Sequence, residues 1–155
     1  MPITVLFVCL GNICRSPMAE AVFGHKVDEA GLSGKFRIDS AGTGSYHVGE
    51  SACSGTRRVL AGHGLHYNGR ARQISAREMA DKQAYIVAMD SENMRDLNNR
   101  YGDHPRLYRL LDFAENSDVR NVPDPYYEGN FELVYRLVED GCNGLLAEIR
   151  KSENL

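Results

Sequence analysis

A continuous apolar run near the N-terminus, Ile3–Cys9, most constrains the fold of this chain. Only Thr4 interrupts it, and it is far shorter than the ~18 apolar residues of a membrane span. A strand that is apolar throughout is typical of a parallel sheet with both faces covered. Gly11 and Asn12 then favour a tight turn, and Ser16-Pro17 is typical of a helix N-terminus with Ser16 as the N-cap.

Strand-like and helix-like segments alternate along the rest of the chain. The predicted strands are Ile3–Cys9, Phe36–Ala41, Tyr85–Met89 and Arg106–Leu111, and the predicted helices are Ser16–Ala30, Ser51–Gly62, Ser75–Lys82, Ser91–Tyr101 and Phe131–Ile149. The residues between Ala114 and Gly129 have no regular pattern. Alternation of this kind predicts an α/β fold whose parallel sheet is covered by helices on both faces. No linker or repeat interrupts the pattern, so we expect one domain over residues 1–155.

Charge and cysteine content exclude several classes of protein. A formal net charge of -3 gives no strong attraction to nucleic acid or to an anionic membrane, and the basic pair Arg57-Arg58 is interpreted as a solvated face. The N-terminus has no basic leader before its apolar run, so we expect a cytoplasmic protein.

The cysteines, Cys9, Cys14, Cys53 and Cys142, form no C-x-x-C pair and have no histidine at ligand spacing. We therefore expect no metal site and four free thiols, of which Cys53 and Cys142 are predicted to be buried and inert.

The segment Cys9–Ser16 carries the chemistry. Its position between a strand and a helix aims backbone N–H groups at one spot, where the first helical turn adds partial positive charge. Gly11 allows close approach of the backbone, and the planar guanidinium of Arg15 matches phosphate oxygens. The same features stabilise the thiolate form of Cys9. The C-x5-R-S pattern therefore predicts a phosphate-binding loop in which Cys9 attacks phosphorus and forms a cysteinyl-phosphate.

Nucleotide-binding loops do not fit the sequence. No lysine lies between Pro2 and His25, whereas the Walker loop requires one, and the Gly42-Thr43-Gly44 segment does not complete a dinucleotide fingerprint.

Expulsion of an alkoxide or phenolate from phosphorus needs a proton donor. Asp124 lies between Pro123 and Pro125, which stiffen the backbone on both sides, and we predict that it is the general acid and then the general base. Tyr126 and Tyr127 follow it and are predicted to form one wall of a slot for a flat leaving group, with Tyr46 on the opposite side.

The segments VCLGNICRSP, DSAGT, RARQ, MDSENMRDLN and DPYY together, in this order, resemble the low-molecular-weight protein tyrosine phosphatases. The resemblance extends from Ile3 to about Ile149. It implies a three-layer α/β/α domain with a central four-stranded parallel sheet, and hydrolysis of phosphotyrosine in proteins without a cofactor. It also implies inhibition by phosphate and other oxyanions.

The resemblance assigns roles within the loop. Cys9 would be the nucleophile, Arg15 the phosphate clamp and Asp124 the acid and base. The remaining loop residues Leu10, Gly11, Asn12, Ile13, Cys14 and Ser16 would bind phosphate or support those that do: Asn12 would fix the loop, Ser16 would bond to the Cys9 sulfur, Leu10 and Ile13 would form the inner wall, and Cys14 would be the redox partner of Cys9.

One departure and several alternatives stay open. Vertebrate members of this family have a histidine behind the loop where this chain has Gly69, so a different group must complete that hydrogen-bond network. Protein arginine phosphatases carry threonine at the position of Ile13, and thiol-linked arsenate reductases need further cysteines where AMDSENMRDLNN has none. A domain that binds phosphotyrosine without hydrolysing it is the non-enzymatic alternative.

Overall fold

The computed structural model describes residues 1–155 and has four parallel strands in one sheet. These are β1 (Ile3–Cys9), β2 (Phe36–Gly42), β3 (Tyr85–Ala88) and β4 (Leu107–Arg109), in the spatial order β2-β1-β3-β4. All three neighbouring pairs are parallel, and Cys9 at the end of β1 lies beside Gly42 at the end of β2. The predicted α/β class with a four-stranded parallel sheet is confirmed.

Six α-helices connect and cover the strands: α1 (Arg15–Glu29), α2 (Ser54–Gly62), α3 (Ala76–Ala80), α4 (Ser91–Tyr101), α5 (Pro125–Glu128) and α6 (Phe131–Glu153). Two 3₁₀ turns, Ser33–Lys35 and Leu110–Phe113, precede β2 and follow β4. None of these helices is both long and apolar enough to cross a bilayer.

The two faces of β1 belong to different parts of the core, because successive side chains of a strand point to opposite faces. Val5 and Phe7 pack in the larger cluster, with residues of α1 and α6. Leu6 and Val8 pack in the smaller cluster, with residues of α3 and α4. All four side chains are at most 2% exposed, and each contributes roughly 1.5–3 kcal/mol by burial. The prediction of a strand covered on both faces is confirmed.

The last helix is longer than predicted. It continues beyond Ile149 to Glu153 and ends where Asn154 adopts a left-handed conformation. Its predicted apolar stripe is buried from Val134 to Ile149. Gly144 lies on the same helix, and a side chain there would collide with the carbonyl of Phe113. Glycine therefore lets the turn after β4 pack closely against α6.

Several other boundaries differ from prediction. Helix α2 begins at Ser54 rather than Ser51, since Ser51 pairs with Arg70 in an isolated β-bridge. Strand β4 is only Leu107–Arg109 because the chain turns into a 3₁₀ helix directly after it. The stretch predicted to be irregular contains the short helix α5. The carboxyl ends of β1, β2 and β3 nevertheless meet at one edge, which is where open α/β sheets bind ligands.

Candidate active site

The loop between β1 and α1 surrounds the sulfur of Cys9. Cys9 is 3% exposed and belongs to the lining of a cavity. The Asn12 amide donates a hydrogen bond to its Sγ at 3.3 Å, and the hydroxyl of Ser16 lies 3.0 Å from the same atom. Two hydrogen-bonding groups therefore lie against one sulfur atom and hold it at the floor of the cavity.

Ser16 does not cap helix α1 as predicted. The N-cap is Cys14, and no side chain caps the helix. The hydroxyl of Ser16 instead forms hydrogen bonds with Cys9 and Asn12 in the loop, so it does not cap the N-terminus of α1.

The backbone of the loop has free donors. The amides of Leu10, Gly11, Ile13 and Cys14 donate no hydrogen bond within the protein, whereas the amide of Asn12 is taken by the Cys9 sulfur. These N–H groups lie immediately before the N-terminus of α1, where the helix dipole adds positive charge. An anion of phosphate geometry fits such a set of donors.

Arg15 is held against the loop by groups from distant elements. Its Nη1 donates to Asp90 Oδ2 at 2.5 Å and to the carbonyl of Val122 at 3.0 Å, and its Nη2 lies 3.6 Å from Asp124 Oδ2. Burial lowers the pKa of Arg15, but the neighbouring charges of Cys9 and the two aspartates outweigh it and raise the pKa above its usual value. The guanidinium is therefore a permanent positive charge beside the sulfur.

Asp90 is a contact of Arg15 that sequence analysis missed. It is the N-cap of α4, where it accepts a hydrogen bond from the Asn93 amide at 2.7 Å, and its second oxygen holds Arg15. Its position at the end of a strand was the available signal, but a capping role alone accounts for an aspartate there.

Asp124 lies over the same cavity as Cys9. It caps helix α5, and its Oδ1 accepts a hydrogen bond from the Tyr126 amide at 3.0 Å. The side chain keeps 27% of its surface exposed. Asp124 is thus fixed in direction by the cap and still open to the cavity.

The cavity has a volume of about 350 Å³, a buried floor and an aromatic rim. Its lining residues are Cys9, Leu10, Gly11, Ile13, Cys14, Arg15, Tyr46, His47, Asp124, Tyr126 and Tyr127. The structure therefore places the three predicted mouth tyrosines and the predicted inner wall, Leu10 and Ile13, around the predicted nucleophile. His47 is a lining residue that the sequence did not indicate, and its ring lies 5.5 Å from that of Tyr126.

Comparison with known proteins shows the family of this chain. The family model described as low molecular weight phosphotyrosine protein phosphatase matches residues 4–155. A relative named low molecular weight protein-tyrosine-phosphatase YfkJ, from Bacillus subtilis, is 49% identical over 156 residues, covering 99% of each chain. This chain belongs to the low molecular weight protein tyrosine phosphatase family. The resemblance predicted from the sequence motifs is confirmed.

Solved structures agree with this membership. The crystal structure of YfkJ has a TM-score of 0.94 at 48% identity and matches 98% of this chain and 97% of its own. A protein tyrosine phosphatase from Entamoeba histolytica has a TM-score of 0.91 at 36% identity, covering 97% and 99% of the two chains. A Drosophila arginine phosphatase has a TM-score of 0.85 at 32% identity, covering 94% and 97%.

Within this phosphatase fold, Asn12 ties the loop to its surroundings. It adopts the left-handed conformation, with φ of 57°, which asparagine tolerates better than most residues. Its Nδ2 donates to Ser16 at 2.8 Å and to Ser40 at 3.0 Å, and its Oδ1 accepts from the Arg72 amide at 3.0 Å. One side chain therefore connects the loop to β2 and to the segment before α3.

The network continues behind the loop to a tyrosine. Ser40 donates to Glu20 Oε1 at 2.6 Å, and the Tyr67 hydroxyl donates to the same oxygen at 3.0 Å. Burial raises the pKa of Glu20 and of Tyr67. A side chain at Gly69 would collide with the Tyr67 ring, whose Cζ lies 2.6 Å from the Cβ position. Tyr67 thus occupies the space that a side chain at Gly69 would need, and its hydroxyl supplies a donor there.

The cysteine predictions need correction. Cys14 forms a disulfide with Cys53, with 5.2 Å between the Cα atoms, so the prediction that Cys53 is a free thiol is wrong. Cys14 is also not paired with Cys9, its predicted redox partner; Cys9 and Cys142 are the free cysteines, both buried. Cys53 lies at the N-cap of α2, and its amide donates to the Ile13 carbonyl at 2.6 Å. This docking of α2 on the loop brings the two cysteines together.

Proposed function

We propose that this chain is one phosphatase domain that hydrolyses phosphotyrosine in proteins, and small aryl phosphates, through a cysteinyl-phosphate at Cys9. One observation carries the proposal: the Cys9 sulfur, the unpaired loop amides, Arg15 and Asp124 all face one cavity with an aromatic rim. Family membership supports the reaction class.

In the first step, the sulfur of Cys9 attacks phosphorus in line with the bond to the phenolic oxygen. The loop amides and Arg15 bind the three equatorial oxygens and stabilise charge in the transition state. As the P–O bond breaks, Asp124 gives its proton to the leaving oxygen, so the product is a neutral phenol.

In the second step, a water molecule attacks the phosphorus of the cysteinyl-phosphate, and Asp124 takes a proton from that water. The P–S bond breaks, inorganic phosphate leaves, and the sulfur recovers the hydrogen bonds from Asn12 and Ser16 that stabilise it as a leaving group. Since phosphate is a product held by the same donors, phosphate and similar oxyanions are expected to inhibit competitively.

Asp90 prepares Arg15 for this role. The 2.5 Å contact through Nη1 holds one edge of the guanidinium, and Nη2 faces Asp124 at a looser 3.6 Å. A phosphoryl group can therefore bind Nη2 without breaking the contact to Asp90. Holding the fork in place before substrate arrives reduces the entropy lost on binding.

A flat aromatic leaving group suits the cavity better than a guanidinium. Ile13 is 7% exposed and lines the inner wall, where it gives no polar partner to phosphoarginine. The similarity to a Drosophila arginine phosphatase nevertheless makes phosphoarginine the second candidate substrate.

The test is a set of matched peptides that carry phosphotyrosine, phosphoserine or phosphoarginine, together with para-nitrophenyl phosphate, all assayed with a metal chelator present. We expect phosphotyrosine to have the largest kcat/KM. The variant Cys9→Ser should lose hydrolysis but still bind phosphotyrosine peptide, because the amides and Arg15 remain. Undiminished turnover by Cys9→Ser, or a clear preference for phosphoarginine, would contradict the proposal.

The enzyme is also proposed to be cytoplasmic and sensitive to oxidants. Peroxide is expected to inactivate the enzyme by oxidising Cys9, and dithiothreitol should restore it. Mass spectrometry after each treatment will identify whether Cys14 is bonded to Cys9 or to Cys53. Activity that is unchanged by peroxide would contradict the predicted sensitivity to oxidants.

A further inference from the structure

A second groove lies beside the candidate active site. It has a volume of about 630 Å³ and is lined by the N-terminal part of α2 and by residues at the junction of α5 and α6. Ile13 and Tyr126 line both this groove and the active-site cavity. A peptide with its phosphotyrosine over Cys9 can therefore continue directly into the groove.

Two arginines give the groove an unbalanced positive charge. Arg57 and Arg58 both line it and are exposed. Arg57 donates through Nε to the carbonyl of Ala52 at 3.1 Å, which orients the side chain and leaves its terminal nitrogens without a protein acceptor. Arg58 makes no side-chain hydrogen bond, and no carboxylate forms an ion pair with either arginine.

The surroundings do not cancel this charge. The first turn of α2 contains no acidic residue, and the positive end of its helix dipole points toward the groove lining. Glu50 is the one carboxylate in the lining, and it is bonded to the ring of His47 at 3.0 Å.

We propose that this groove, called the α2 groove, binds an acidic side chain close to the phosphotyrosine in the substrate peptide, with Arg57 and Arg58 as its anion-binding groups. The inference rests on the proposed phosphatase function and names a feature of its substrates. An extended peptide advances about 3.3 Å per residue, so glutamate or aspartate a few positions from the phosphotyrosine can reach the arginines. The groove is open to solvent, and the interaction is therefore expected to weaken with salt.

The experiment compares three phosphotyrosine peptides of equal length: one with glutamates before the phosphotyrosine, one with glutamates after it, and one with glutamines in both places. We expect one acidic peptide to have a kcat/KM about fivefold above the neutral peptide, mainly through KM, as two exposed ion pairs would give. The double variant R57Q/R58Q should remove that preference. The kcat/KM of each variant for para-nitrophenyl phosphate measures any disturbance of the active-site cavity itself. The kcat/KM of that variant for each peptide is divided by this value before the variants are compared.

A matched control is the double variant R77Q/R150Q, which makes the same change in net charge at two exposed arginines outside both cavities. It should keep the preference for the acidic peptide. Equal kcat/KM for acidic and neutral peptides in the wild type, or equal losses in the two double variants, would overturn the inference.

The same comparison in a Cys9→Ser background, read as peptide Kd by fluorescence anisotropy, does not depend on turnover. If para-nitrophenyl phosphate is not hydrolysed by the wild type, the proposed function fails. A preference for the acidic peptide in the binding assay would then still support the groove, and its absence would count against it.

Discussion

The floor and the mouth of the active-site cavity are built in opposite ways. Cys9, Asn12 and Ser16 on the floor are at most 3% exposed and are joined by short hydrogen bonds. Tyr46, Tyr126 and Tyr127 at the mouth are 77%, 54% and 75% exposed. A buried polar network has one favourable arrangement, whereas exposed rings can reorient at little cost. The difference suggests that the floor determines the reaction and the mouth determines which substrate is accepted.

The largest effect that would test this division is expected from Asp124→Asn. The amide can still cap α5, so the fold should be kept, but it is not acidic enough to give a proton to the leaving oxygen. We expect kcat for aryl phosphates to fall by about 10²–10⁴-fold. Leaving groups of lower pKa should be less affected, because they need less protonation. A uniform loss across leaving groups would show that Asp124 acts on binding rather than on proton transfer.

A smaller effect is expected from Tyr67→Phe, because Tyr67 is linked to the floor of the cavity through Glu20, Ser40 and Asn12. Loss of its hydroxyl leaves Glu20 with one donor fewer and loosens Ser40 and Asn12, so we expect kcat to fall by up to about tenfold. Tyr85→Phe is the matched control, since that hydroxyl donates to the carboxylate of Glu153 at 2.9 Å, away from the active site.

Both tyrosine variants should lose about 1 kcal/mol of unfolding free energy. Only Tyr67→Phe should also lower kcat and weaken the binding of inorganic phosphate. Equal kcat in the two variants would mean that Tyr67 contributes to the stability of the fold but not to catalysis.

At the mouth, Tyr127→Ala should change substrate binding rather than chemistry. Loss of one aromatic contact is expected to raise KM for an aryl phosphate by about twofold to tenfold, with kcat nearly unchanged. Inhibition by inorganic phosphate serves as the control, because phosphate reaches only the floor. Should phosphate inhibition weaken as much as KM rises, the floor and the mouth are not independent.

The smallest effect concerns the pH dependence of stability through Glu20. Burial raises the pKa of this carboxyl in the folded protein, so its contribution to stability is full below the ordinary carboxyl pKa and is lost as pH rises through the raised value. Glu20→Gln keeps an oxygen that accepts from Ser40 and Tyr67 but does not titrate.

We therefore expect Glu20→Gln to gain stability relative to the wild type as pH rises above the ordinary carboxyl pKa, measured by denaturant unfolding at each pH. Glu148→Gln, an exposed carboxylate on α6, is the control for the change in charge. A difference that does not vary with pH would show that Glu20 does not titrate in this range.

Sequence reasoning succeeded where a pattern of neighbouring residues identifies each position. Cys9, Gly11, Asn12 and Arg15 lie within one loop, and the preferences of a strand, a tight turn and a helix start act over those few positions. The stripe of α6 was also predicted because a helical period is a local property. Asp124 was predicted to face the cavity because the flanking prolines marked a rigid turn at the correct sheet edge.

Reasoning from sequence failed where two distant segments had to meet. Arg15 and Asp90 are separated by 75 positions, and Cys14 and Cys53 by 39. Nothing in either local sequence indicates its partner. Strand register and the docking of α2 on the loop decide these pairs.

The sequence by itself determined the alternation of strands and helices, the cysteine at the end of the first strand and the arginine that opens the first helix, since each follows from preferences that act within a few residues. Only the tertiary structure decided that Tyr67 stands behind the loop in the space beside Gly69 and that Cys53 lies within disulfide distance of Cys14. Those pairings depend on how whole elements pack, and the free energy of packing is shared among many side chains rather than encoded at either residue.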